Sequence, residues 1–197
     1  MLRRLFRGID RGFYVDVGAH HPYRFSNTYL LYRRGWHGLN IDALPGTKLL
    51  FDRCRPRDQT IEVGVSTHRG SLTYWSFEEP AFNTFDEALG RERVRRGVSR
   101  LIDRQAVATL PLSEILAKNI TTDRSIDLLT VDVEGLDLQV LQSNDWHRYR
   151  PGVVLCEVLA SDLDETAGDE VYAFMLSVGY RLRSKLYTTA VFQTNEP

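Results

Sequence analysis

A chain of 197 residues, 43% of them hydrophobic, is long enough to bury one substantial core and leaves little room for a second full domain. Its 25 Lys and Arg against 26 Asp and Glu give a formal net charge of -1, which excludes a general attraction to nucleic acid or to an anionic membrane. Two widely separated cysteines, Cys54 and Cys156, cannot build a thiolate tetrad for zinc and suit a reduced, cytoplasmic protein better than a disulfide scaffold.

The opening MLRRLFRGIDRG is basic and lacks the apolar core of a signal peptide, so it reads as a surface helix or a frayed terminus. Phe13 to Ala19 then reads as a buried first strand, Arg24 to Arg34 as a helix and Gly38 to Ala43 as a second strand. Pro45 begins the next helix, with Leu49, Leu50 and Phe51 as its apolar side, and Gln59 to Val65 supplies a third strand. Repeated strand, crossover, strand units predict a parallel sheet with helices on both faces.

After residue 70 the rhythm breaks. Gly70 to Phe77 alternates like an exposed or antiparallel strand, and the polar, arginine-rich stretch that follows reads as an insertion or lid, about residues 70–110 of a single domain. The regular pattern resumes with Ser125 to Gly135, an apolar strand ending in acids, then a helix from Leu136, the strand PGVVLCEVL, a helix over Asp169 to Gly179, and two closing strands that pair antiparallel. No segment reaches the roughly 18 apolar residues of a membrane span.

The chemistry is concentrated where strands end. Gly18 follows the first strand and lets backbone come close to a ligand, with turn amides as donors and Asp16 organising the turn from two residues earlier. Asp42 ends the second strand, where a carboxylate can accept from both hydroxyls of a ribose. The turn GAHHPY lacks the second glycine of G-x-G-x-x-G that admits a pyrophosphate, so a cofactor with a ribose and no diphosphate fits better than NAD. S-adenosylmethionine has that shape.

The segments FYVDVGAHHPYRFSNTYLLYRRGWHGLNIDA, RPRDQTIEVGVSTHRGSLTYWSF, FNTF and LLTVDVEGLDLQVLQSNDW resemble the FkbM-family methyltransferases, from about Gly12 to Phe192. The resemblance implies the class I, Rossmann-like fold, with a mostly parallel seven-stranded sheet and an insertion after the third strand. It also implies transfer of a methyl group from S-adenosylmethionine to oxygen, commonly on a sugar or polyketide-type product. Carried over residue by residue, it assigns Asp16, Gly18, Ala19 and His20 to the cofactor turn, Asp42 to the ribose, and Val65 and Ser66 to the edge of the adenine pocket. His20 stands where many members of the family have Asn.

An alcohol attacking a sulfonium methyl needs alignment and benefits from a base. His21, with an ordinary pKa near neutrality, is one candidate; the competing role is a capping or packing histidine beside Pro22. Asp132 and Glu134 leave the strand LLTVDVEG and share parity if that strand continues through them, while Glu157 leaves VVLCEVL at the same sheet edge. The competing reading has one of these acids capping the next helix and the other pairing with an arginine of the insertion. Asn83 and Thr84 of the insertion contribute to substrate binding if that loop folds over the cleft.

A divalent metal on Asp132 and Glu157 is the weaker expectation, since two acids make a thin ligand set. Arg91, Arg93, Arg95, Arg96, Arg100 and Arg104 suit a phosphorylated or acidic acceptor, against the alternative of a solvated charged helix. The D/N-P-P-Y/F motif of amino methyltransferases is absent, which favours oxygen over nitrogen. Nucleic acid is not an expected partner, and a homodimer neighbour is a further source of specificity. The reading is thus an O-methyltransferase acting on a saccharide or glycosylated metabolite, with a nucleotide-cofactor oxidoreductase and a non-catalytic adenosyl-binding module as the competing classes.

Overall fold

The computed structural model describes residues 5–121, 123–160, 166 and 168–194. Seven strands form the main sheet: β1 (Phe13–Val17), β2 (His37–Asp42), β3 (Gln59–Glu62), β7 (Leu128–Val131), β8 (Val153–Glu157), β9 (Tyr180–Leu186) and β10 (Thr189–Thr194), in the spatial order β3-β2-β1-β7-β8-β10-β9. β1, β2, β3, β7 and β8 run parallel, and β10 is antiparallel to both β8 and β9. Strand order reverses between β1 and β7, where Val17 is level with Val131. In an open α/β sheet that reversal opens a crevice at the carboxyl ends of the strands, so residues just beyond Val17 and Val131 are placed to line a site.

The alternation along β1 explains the layering. Val15 and Val17 face one core with Leu112, Ile115 and Leu116 of α4 (Leu112–Asn119), Val140 and Leu141 of α5 (Asp137–Gln142), and Met175 of α6 (Glu170–Ser177). Tyr14 faces the other core, with Phe6, Trp36, Leu128 and Leu155 and with Leu31 and Tyr32 of the short helix α1 (Tyr29–Tyr32). Each such large apolar side chain stabilises by roughly 1.5–3 kcal/mol relative to exposure. Phe6 meets Trp36 edge-on at 4.8 Å between ring centroids, so the amino-terminal segment is docked from residue 5 onward. The part of the surface-helix expectation that falls on residues 1–4 lies outside the described residues.

Three expectations need correction. The helix expected over Arg24 to Arg34 shrinks to Tyr29–Tyr32, because Phe25 has φ 54° and Ser26 Oγ accepts from the amides of Thr28 and Tyr29. In α2 (Thr47–Cys54) Phe51 is buried, but Leu49 and Leu50 face solvent. The third strand is two: the chain leaves the main sheet after Glu62, and β4 (Gly64–Val65) joins a second sheet of order β4-β6-β5 with β5 (Gly70–Phe77) and β6 (Leu101–Leu110).

That second sheet is the expected insertion. β5 and β6 are antiparallel partners from Gly70↔Thr109 to Phe77↔Leu101. Between them lie a 3-10 turn (Pro80–Phe82) and α3 (Glu87–Arg96), capped by the Asp86 side chain on Leu89 N–H and ended by Gly97 at φ 63°. The arginine-rich run is therefore helix only to Arg96, and Arg100 and Arg104 belong to the return path. No helix among the described residues is long and apolar enough to cross a membrane.

Candidate functional site

A cavity opens at the reversal point. It is lined by Val17, Gly18 and His20 after β1, by Ile41 and Asp42 of β2, by Asp132 to Glu134 after β7, and by β4 and the insertion through Val65, Tyr74, Asn83 and Phe85. Phe25, Pro80 and Ala81 border it as well.

Gly18 has φ 78°, and a Cβ there would sit 1.8 Å from the Asp132 carbonyl oxygen. A side chain is excluded by the close approach of the β1 turn to the end of β7, and that approach fuses the two halves of the crevice. The turn amides are not free donors, contrary to expectation. Gly18 and Ala19 N–H both donate to Ile41 O, His20 N–H donates to Asp42 Oδ2 at 2.7 Å, and His21 N–H to Ala19 O. Asp42 Oδ1 accepts from Leu44 N–H at 2.8 Å. Both Asp42 oxygens are thus oriented by backbone, and each keeps a lone pair for a further donor. Burial raises the Asp42 carboxyl above the usual range, while the amides of Leu44 and His20 oppose that shift.

His20 and His21 separate sharply. His20, at φ 54°, faces the cavity with a buried Nε2 that has no hydrogen-bond partner, and its ring stacks on Phe25. His21 is not among the lining residues. Its Nδ1 accepts from Tyr23 and Arg24 N–H at 3.2 and 3.1 Å, so the ring proton resides on Nε2. With one nitrogen engaged and the other protonated, neutral His21 has no free lone pair to act as a base. Burial lowers both imidazoles below their ordinary pKa, helped at His20 by His21 and at His21 by Arg24.

Asp16 points away from the cavity. It lies on the Tyr14 face of β1, accepts from Thr28 Oγ1 at 2.6 Å, and is pushed up to about 6 by burial. Val65 lines the cavity beside Val63 and Gly64, but Ser66 does not, its amide donating to Leu110 O. A Cβ on Gly64 would lie 2.6 Å from the Phe85 ring, so that glycine keeps an apolar slot narrow.

Asp132 is a strongly perturbed lining acid. Its carboxyl is pushed up to about 7 by burial first, then by the charges of Glu157, Glu134 and Asp16, with a hydrogen bond from the Asn27 side chain working the other way. Glu134 does not continue the strand: at φ 56° it turns the chain ahead of Gly135 at φ 109°, yet it still lines the cavity. Its carboxylate pairs with Arg93 of α3, the arrangement anticipated as the alternative to a catalytic role. Neither acid caps α5, whose N-cap Leu136 makes no side-chain bond. Glu157 is raised by burial and by Glu134 but lies outside the lining set.

The insertion is bolted down. Thr84 pairs with Trp75 as a β-bridge, donates from Oγ1 to Glu134 O at 2.7 Å and is itself buried outside the cavity wall. Asn83 lines the cavity while its Oδ1 accepts from Phe77 N–H at 2.8 Å. Arg91, Arg95 and Arg100 pair on the surface with Glu87, Glu92 and Glu78, and Arg104 lies over Trp75, so the arginine run does not converge on an anion site. Among the described residues no three His, Cys, Asp or Glu come together as metal ligands.

Phe85, the aromatic beside Asn83 and Thr84 in FNTF, supplies apolar wall as that stretch suggested, but three contributors escaped the sequence reading. Phe25 and Tyr74 also supply apolar wall, and neither carried any signal. Asn27 reaches Thr130 Oγ1 and Asp132 from a segment expected to be helix, where its position carried none.

The chain matches the Methyltransferase FkbM domain over residues 16–182. A comparison with curated proteins returned no match. Among solved structures, a TehB-like SAM-dependent methyltransferase from Corynebacterium glutamicum aligns with 12% identity and a TM-score of 0.43, over 93% of this chain and 80% of that one. With the family's domain matching more than four-fifths of its length, the chain belongs to the FkbM methyltransferase family.

Proposed function

We propose that the protein uses S-adenosylmethionine to methylate a hydroxyl of a saccharide or glycosylated metabolite. The observation that carries the cofactor reading is the charge of the cavity wall: Asp42, Asp132 and Glu134 line it, and among the described residues neither Lys nor Arg does. Such a wall attracts a cation and repels a diphosphate, which favours a sulfonium cofactor over a dinucleotide. The residues fit the group: Asp42 keeps acceptor capacity for ribose hydroxyls, His20 Nε2 is a buried polar atom awaiting a partner, and Val63, Val65 and Phe85 give an apolar slot for a base.

When bound, the cofactor supplies an electrophilic methyl group. The protein's part is to orient and to hold a proton. Gly18, His20, Asp42 and Val65 line the cofactor side of the cavity, Ala19 lies buried outside the lining, and Asn83 with the buried Thr84 behind it shapes the acceptor side. Asp132, poised near neutrality, is the group we assign to receive the acceptor hydroxyl proton, because a base works best with a pKa close to the working pH. Glu134 keeps Asp132 basic through its negative charge, and Glu157 adds to that field from the neighbouring strand end. Exclusion of water by the docked insertion would strengthen each of these interactions.

The test is incubation with methyl-labelled S-adenosylmethionine and a panel of neutral, amino and acidic saccharides. Label on a hydroxyl oxygen supports the reading; label on an amine, or none on any acceptor despite cofactor binding, contradicts it.

A further inference from the structure

Arg55 is wholly buried, at 0% exposure, just after the end of α2. It reaches the loop between β1 and α1 at three points: Nη1 donates to Thr28 Oγ1 at 2.9 Å, and Nη2 donates to Ser26 Oγ at 2.7 Å and to the Pro22 carbonyl. Its counter-charge is Asp58, at 3.6 Å and equally buried, which also accepts from Tyr14 Oη and Asn40 Nδ2. Thr28 passes the contact on to Asp16. Three rings, Tyr29, Tyr32 and Phe51, surround the guanidinium at 5.2 to 5.5 Å.

A buried ion pair is weak evidence for a stability role, since well-packed apolar residues often replace one at no cost. What Arg55 does here is geometric. The loop it clasps would otherwise be free to wind into the longer helix that its sequence suggests. Held open, the same loop turns His20 and Phe25 into the cavity and brings the Asn27 amide to Asp132. Phe25 is 70% exposed and sits at positive φ, a conformation that persists only where its surroundings enforce it.

We infer that Arg55 is the positioning residue of the catalytic cleft: it fixes residues 22–28 from beneath and thereby sets both the His20 face of the cofactor site and the Asn27 contact to Asp132. Its functional side rests on the methyltransferase reading above, while its structural side does not.

The experiment is hydrogen–deuterium exchange on the ligand-free full chain, followed by S-adenosylmethionine titration, for wild type, Arg55→Met, Arg55→Lys and Asp58→Asn. In Arg55→Met the amides of His20, Tyr23 and Arg24 are expected to exchange at least tenfold faster, with Val15 and Val17 of β1 unchanged, and cofactor affinity to fall about tenfold. Arg55→Lys should recover part of both. Asp58→Asn should lower thermal stability while leaving loop exchange within about threefold of wild type, because the three loop contacts survive. If Arg55→Met does not fold, Arg55→Lys, which keeps the charge but cannot hold all three loop acceptors, should still speed the same amides by roughly fivefold or more, beyond the Asp58→Asn range. Unchanged loop exchange in the folded variants, or equal acceleration of the β1 amides, overturns the inference. Wild type that does not bind S-adenosylmethionine overturns the functional reading, and the exchange result then still decides the positioning role.

Discussion

Arg93 of α3 donates to the Phe82 carbonyl through Nη1 at 2.6 Å and pairs with the Glu134 carboxylate through Nη2. One nearly buried guanidinium thus ties the insertion to the strained turn after β7. Arg93→Ala is expected to cost about 1.5–3 kcal/mol, the range for a hydrogen bond to a charged group, and to leave Glu134 without its cation. The freed negative charge should raise Asp132 further, moving the acid limb of the pH–rate profile upward. A denaturant melt and a kcat/KM profile from pH 5.5 to 9 check both effects.

On the proposed reading Asp132 is expected to set the pH dependence of turnover. With Asp132 pushed up to about 7, activity should rise from pH 6 to 8 with a midpoint near neutrality, and Asp132→Asn should lose at least a hundredfold in kcat. Stability runs the opposite way. An acid whose folded pKa lies above its unfolded value holds its proton in the native state, so stability is lost as pH rises from about 4 towards 7. Asp16, at about 6, and Asp137, pushed up to about 8 chiefly by burial, act in the same sense. The wild-type Tm should therefore fall between pH 5 and 8, and Asp132→Asn should fall less steeply while being the less active protein. Asn27→Ala, which removes the bond that lowers Asp132, should shift the activity midpoint to higher pH.

The two adjacent histidines should part company on mutation. His20→Ala removes the unpartnered cavity nitrogen and is expected to weaken cofactor binding several-fold. His21→Ala removes the acceptor for Tyr23 and Arg24 N–H, so it should lower stability by about 1 kcal/mol and leave the shape of the pH–rate profile unchanged. Titration calorimetry and kinetics on the pair distinguish them; loss of the pH-dependent limb in His21→Ala would restore it as the base.

Gly18→Ala should be among the least tolerated substitutions in the chain. The left-handed backbone alone costs about 1–2 kcal/mol for a residue with a Cβ, and the 1.8 Å approach to Asp132 O forces β1 and β7 apart as well. A drop in Tm of 10 °C or more, or recovery only in insoluble form, is expected.

What could be read from the sequence followed from periodicity. Apolar runs such as FYVDV and LLTVDV fixed the parallel strands, and acids or glycine at their ends fixed the sheet edge that carries the site, so Gly18, His20, Asp42, Val65, Asn83, Asp132 and Glu134 all line the cavity. The misses share a cause: local pattern cannot see a distant partner. The helix expected from Arg24 gives way where Ser26 Oγ accepts from the Thr28 and Tyr29 amides and from the distant Arg55, and His21 looks like a base until Tyr23 and Arg24 turn back onto its Nδ1. Asp16 belongs to a buried network on the far face of β1, which a family position alone does not reveal. Thr84 and Ser66 lie one residue from lining positions and Glu157 ends a strand whose residues do not reach the cavity wall, and strand-end counting does not resolve that difference.

If this acidic cleft takes S-adenosylmethionine with Asp42 at the ribose, cofactor affinity depends on that one carboxylate. Isothermal titration of wild type and Asp42→Ala with S-adenosylmethionine and S-adenosylhomocysteine, with NAD as control, tests it most directly. Both adenosyl ligands are expected to bind at micromolar level and NAD not measurably, with a tenfold or greater loss in the variant, since Asp42 would accept from the ligand and also anchors His20 N–H. Adenosyl binding undiminished by the substitution, or NAD binding in its place, would contradict it.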